Sequence, residues 1–100
     1  MKSKISPIPK QKYHVFLSYS KQLPWNEMIQ KLREYSECTQ QQVATAINVN
    51  RKTYSNYESG VSDIGIEKIK KLAQLYGIPS SIILGEPDLM SEFMKEIAND

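Results

Sequence analysis

The sequence predicts an all-α fold: one small domain of five helices, a basic arm before it and one more amphipathic helix after it. Three observations lead there. Apolar residues recur at helical spacing in the stretches 25–32, 66–76 and 89–97, the pattern of helices with one buried face. Between the first two lie a pair of short helical patterns joined by a tight turn at Asn48. Only 13–20 alternates as a strand does, and a lone strand inside a helical domain has no partner.

Composition bounds the rest. With 100 residues and 40% hydrophobic content, the chain makes one small domain whose core cannot enclose a large substrate. A single cysteine excludes an internal disulfide framework, which fits a reducing compartment. No apolar run approaches the roughly 20 residues of a membrane span, and no signal-peptide pattern follows the N-terminal lysines. The expectation is a soluble cytoplasmic protein without a membrane partner. The formal net charge of +2 is too small to imply a nucleic acid, but its distribution is polar. Lys2, Lys4, Lys10, Lys12 and Lys21 lie in 1–23, which has no acid, while 86–100 carries Glu86, Asp88, Glu92, Glu96 and Asp100 against Lys95. One His, one Cys and no glycine-rich phosphate loop leave no catalytic, metal or cofactor constellation. An enzyme is not expected, nor a cofactor, nor a metal.

In chain order, 1–23 is the basic arm. Met1 to Lys12 has two prolines, four lysines and little to bury; it either follows a nucleic-acid backbone or groove, or is a solvated terminus. Tyr13 to Ser20 places Tyr13, Val15, Leu17 and Tyr19 on one face if extended. It is a candidate dimer contact, or a segment lying over the core. The domain proper spans 24–85. Pro24 to Ser36 is its first helix, proline suiting a first turn, with Trp25, Met28, Ile29 and Leu32 inward. Cys38 reads as a small buried hydrophobe.

Thr39 N-caps the second helix, whose apolar stripe is Val43, Ala44 and Ile47. Asn48 tolerates a left-handed backbone, so the helix stops and turns there. Val49 plugs the turn and Asn50 caps a third helix from about Arg51 to Glu58. Tyr54 and Tyr57 form its buried side, and Gly60 ends it. The outward side carries Arg51, Lys52, Ser55, Asn56 and Ser59, all able to hydrogen-bond base edges or phosphates. A short helix with an apolar back and such a front suits a major groove.

Gly65 to Tyr76 is the fourth helix, with Ile66, Ile69, Leu72, Ala73 and Tyr76 as its stripe. Lys68, Lys70 and Lys71 are either a phosphate-facing patch or simple solvation. Ser80 to Leu84 closes the bundle and Gly85-Glu86-Pro87 breaks it. The last unit, 86–100, contains an acidic helix from Asp88 to Ala98 with Leu89, Met90, Phe93, Met94 and Ile97 on one face. It folds back on the domain or packs on another chain, a dimer contact being favoured.

From about Met28 to Leu84 the chain resembles the lambda-repressor-like (XRE-type, Cro-type) helix-turn-helix family. The matching marks are Leu32-Arg33-Glu34, Thr39-Gln40, Val43-Ala44, Ile47-Asn48-Val49, Thr53, Tyr57-Glu58-Ser59-Gly60, Leu72-Ala73 and Tyr76-Gly77-Ile78. Glu37 departs from the Gly or Asn usual after the first helix, and Asn48 replaces the usual turn glycine. The resemblance implies a sequence-specific regulator that binds double-stranded DNA, as a dimeric repressor on a palindromic operator. By that register Arg51, Lys52, Ser55 and Asn56 read bases, and Thr39, Gln40, Asn50 and Ser59 hold phosphates. Arg33 and Glu58 form an ion pair between the first and third helices, and Val61 to Asp63 lies against the DNA backbone. The competing expectation is an antitoxin or protein-interaction adaptor on the same fold, its C-terminal helix holding a protein partner such as a toxin or anti-repressor.

Overall fold

The computed structural model describes residues 7–12 and 23–84. After a single 3-10 turn at Lys10–Lys12 come five α-helices: α1 (Trp25–Tyr35), α2 (Gln40–Ala46), α3 (Arg51–Ser59), α4 (Ile66–Tyr76) and α5 (Ser80–Leu84). Among the described residues there is no strand. The strand-like stretch 13–20 and the helix expected over 88–98 lie outside them.

Apart from Ile66 of α4, the helices bury the faces that their spacing predicts. Met28, Ile29 and Leu32 of α1, Val43 and Ala44 of α2 with Ile47, and Tyr54 and Tyr57 of α3 meet in one core. Ile69, Leu72, Ala73 and Tyr76 of α4 and Ile82 and Ile83 of α5 complete it. Burying one such aliphatic side chain stabilises by about 1.5–3 kcal/mol. In this assembly α3 packs on α2 and α1, and α5 packs on α4 and α1, so the third helix is held by both helices that precede it.

Four helices stop in the same way. After each, one residue turns left-handed: Glu37 (φ 56°), Asn48 (φ 64°), Gly60 (φ 76°) and Gly77 (φ 68°). In each case the following amide reaches back to a carbonyl of the last turn: Cys38 to Arg33, Val49 to Ala44, Val61 to Asn56 and Ile78 to Ala73, at 2.9–3.2 Å. That pairing satisfies carbonyls the helix itself leaves open. Glycine enters φ near +60° without steric cost and asparagine with little, but Glu37 has a Cβ and no such licence. The glutamate adopts the turn and bears the strain.

Two expectations change. Ile66, placed on the buried stripe of α4, is 58% exposed; as the first residue of its helix it overhangs the edge of the core that Ile69 and Leu72 occupy. Ile8, in the stretch expected to bury little, is only 3% exposed and belongs to the core. Its amide donates to the Tyr76 carbonyl at 2.8 Å. Beside it, a Cβ added at Gly77 would approach the Pro7 Cβ to 3.0 Å, so glycine there serves both the left-handed turn and this close approach. Pro7 and Ile8 are thus docked at the C-terminal end of α4.

Candidate nucleic-acid interface

The site begins with the division of α3. Tyr54, Tyr57 and Glu58 are its buried residues, spaced i, i+3, i+4 on one face. The tyrosine rings meet edge to face, centroids 6.4 Å apart at 84°, the arrangement aromatic quadrupoles favour. On the opposite ridge lie Lys52, Ser55, Asn56 and Ser59, again at i, i+3, i+4 and i+7. Arg51, Lys52 and Ser59 are exposed, and Ser55 and Asn56 half-buried. Arg51 stands at the first helical position, just after the capping Asn50. The expected reading residues therefore share one accessible side of one helix.

A buried carboxylate locks the other side. Glu58 accepts from Arg33 twice, Nε to Oε2 at 2.6 Å and Nη2 to Oε1 at 3.0 Å. It also accepts from the Tyr54 hydroxyl at 2.5 Å and from Gln40 Nε2 at 3.1 Å. Arg33 Nη1 spans onward to the Cys38 carbonyl at 3.0 Å. Burial alone would push the Glu58 pKa up, but the hydrogen bonds from Arg33, Tyr54 and Gln40 outweigh it and hold the group below its ordinary value. The Glu58 hydrogen bond raises the Arg33 pKa against the opposing effect of burial. Burial, above all, raises the Tyr54 hydroxyl, so it stays a donor. The paired, fork-to-fork geometry explains why arginine stands here. The ion pair that the resemblance implied is present, and it joins α1, α2 and α3 at one carboxylate.

The four expected phosphate residues fall into two groups. Thr39 and Asn50 are exposed and act as caps. Thr39 Oγ1 accepts from the Gln42 amide at 3.1 Å while Gln42 Oε1 accepts from the Thr39 amide at 2.8 Å, a reciprocal capping box. Asn50 Oδ1 accepts from the Thr53 amide at 2.7 Å. Ser59 is exposed, its hydroxyl donating to the Asn56 carbonyl at 3.3 Å. Gln40 differs, because its amide turns inward to Glu58. Gln40, expected among the phosphate-holding residues, thus also supports the third helix.

Cys38 is half-buried against the core. Its thiol is raised, by burial more than Arg33 lowers it, which disfavours the thiolate a nucleophile needs.

Two side-chain contacts matter here that the residue pattern did not announce. Asn26 of α1 donates from Nδ2 to the Glu58 carbonyl at 3.2 Å, and a Cβ at Gly60 would come within 3.3 Å of it. It thus closes the C-terminal end of α3. Lys68 of α4 donates from Nζ to the Ile47 carbonyl at 3.1 Å, so one of its hydrogens is engaged within the fold. For Gln42 a signal existed, since threonine followed three places on by glutamine marks a capping box. Among the described residues no His, Cys, Asp and Glu cluster could hold a metal ion, and no helix is long and apolar enough to cross a membrane.

Comparison with known proteins bears on this geometry. Residues 29–83 match the helix-turn-helix family. The cryptic phage CTXphi transcriptional repressor RstR of Vibrio cholerae is 31% identical over 64 residues, 64% of this chain. The matched part is 58% of that relative's length, so the chain spans less than two thirds of it. No solved structure matches the chain.

Proposed function

Since the chain belongs to the helix-turn-helix family of lambda-repressor-like (XRE-type) DNA-binding regulators, we propose that it is a sequence-specific transcriptional regulator of double-stranded DNA, and specifically a dimeric repressor on a short palindromic operator. The observation that carries this reading is the two-sidedness of α3: a locked tyrosine and glutamate back, and an accessible front of Arg51, Lys52, Ser55 and Asn56. Arg51 and Lys52 favour guanine O6 and N7, and Asn56 favours adenine N6 and N7. Thr39, Asn50 and Ser59 hold phosphates and set the register, and Gln40 shares that task through its second amide hydrogen. Two copies present their α3 helices about one DNA turn, roughly 34 Å, apart. The repressor named above supports the direction of control. The protein acts in the cytoplasm without a cofactor or catalytic step.

Selection of bound duplexes from a random-sequence pool tests the proposal. A single enriched, two-fold symmetric sequence is expected, with affinity falling steeply as salt rises, because displaced counterions drive phosphate binding. No enrichment at low salt would refute it. The second reading, an antitoxin or adaptor, draws on the acidic, methionine-bearing stretch 88–98. Deleting residues 87–100 separates the two: loss of self-association favours the dimeric repressor, and loss of a different protein partner favours the adaptor.

A further inference from the structure

We infer that Lys68 is a positioning residue for base recognition, closing the C-terminal end of α2 and so fixing the turn from which α3 departs. The inference rests on the DNA-binding reading for its consequence, but on geometry for its substance. α2 has seven residues and no basic residue in its last turn, so its own sequence offers nothing to the partial negative charge of that end. The amides of Asn48 and Val49 turn back to the Thr45 and Ala44 carbonyls. The Ile47 carbonyl instead receives the Lys68 ammonium, from 21 residues away in the chain.

The place of this bond matters more than its strength. Ile47 is fully buried and Val49 packs on the core, and Asn50, the cap of α3, follows directly. Any rotation of the turn is therefore passed to the first residues of α3, Arg51 and Lys52. The far end of α3 is held by Asn26 and by the Arg33–Glu58 pair. The near end has the Asn50 cap, which is internal to the turn, and Lys68, which ties it to α4. Lys68 is half-buried while Lys70 of the same helix is exposed. The two lysines thus have different work.

Three roles for Lys68 give three distinct results in the full chain. The probes are the duplex that the wild type selects from a random pool and an unrelated duplex of equal length. As a positioning residue, Lys68→Gln lowers the ratio of the two affinities by about tenfold. Lys68→Arg restores most of it, Lys70→Gln leaves it unchanged, and the dependence of log affinity on log salt keeps its slope. A slope shallower by about 0.9 with an unchanged ratio would make Lys68 a phosphate contact instead and overturn the inference. A lower melting temperature with ratio and slope both intact would make it a stabilising residue only, and overturn it equally. If the wild type selects no duplex, the DNA-binding reading falls and amide exchange decides the geometry alone. Lys68→Gln must then speed exchange at Asn48 and Val49 relative to α1; equal exchange sinks the assignment.

Discussion

The two sides of α3 are nine residues of one helix under opposite constraints. On the back, Tyr54 touches Tyr57 and Glu58, and Glu58 in turn holds Arg33 and Gln40. Removing the Glu58 carboxylate or the Arg33 guanidinium strands a polar partner, which costs more than the contact itself was worth. On the front, Arg51 and Lys52 are exposed. Changing them removes nothing the fold depends on. The difference teaches how a small domain reads: specificity resides in side chains the fold does not use, and their aim in side chains it cannot spare.

The sharpest way to break that contrast is from behind. Tyr54→Ala removes a fully buried ring and the donor to Glu58, and is expected to destabilise by about 3–5 kcal/mol. Chemical denaturation measures it; a loss under about 1 kcal/mol would mean the back is not the anchor. Acid offers a second route. The Glu58 pKa is held low in the folded chain, so its contribution is full above the ordinary glutamate pKa of about 4.3 and disappears as pH falls through the lower folded value. Melting temperature followed from neutral to acidic pH should fall in that window. The fall should be smaller in Glu58→Gln, which is less stable at neutral pH but has no charge there to lose. Identical pH profiles would remove Glu58 from the account. The mildest change improves the molecule. Glu37→Gly relieves the left-handed turn after α1 and is expected to raise stability by about 1 kcal/mol, with DNA affinity unchanged because Glu37 lies on neither side of α3.

What could be read from the residues, and what could not, follows from the range of each interaction. The stripes of α1 and α4 and the tyrosine back of α3 were legible because helical periodicity is local. Asn48 announced its own turn, and the departure at Glu37 flagged the strained position that the structure shows. The Arg33–Glu58 pair was visible only through the family register, since nothing local links residues 25 apart. Ile8 was missed because a single apolar residue between two prolines has no period. Asn26 and the backbone contact of Lys68 were missed for a related reason: long or flexible polar side chains meet backbone carbonyls that no pattern announces. Ile66 erred the other way, its spacing correct but its helix not yet inside the core. Base and phosphate roles along the front belong to a complex with DNA, and their assignment to particular residues is the proposal.

The most direct test of the two-sided helix is Arg51→Ala, examined on the selected duplex and on each single-base variant of it. The account predicts unfolding free energy within about 0.5 kcal/mol of wild type, an affinity loss of about 1–3 kcal/mol, and a base preference relaxed at one position of each half-site. An equal loss at every base position, or a loss of stability matching the loss of affinity, would contradict it.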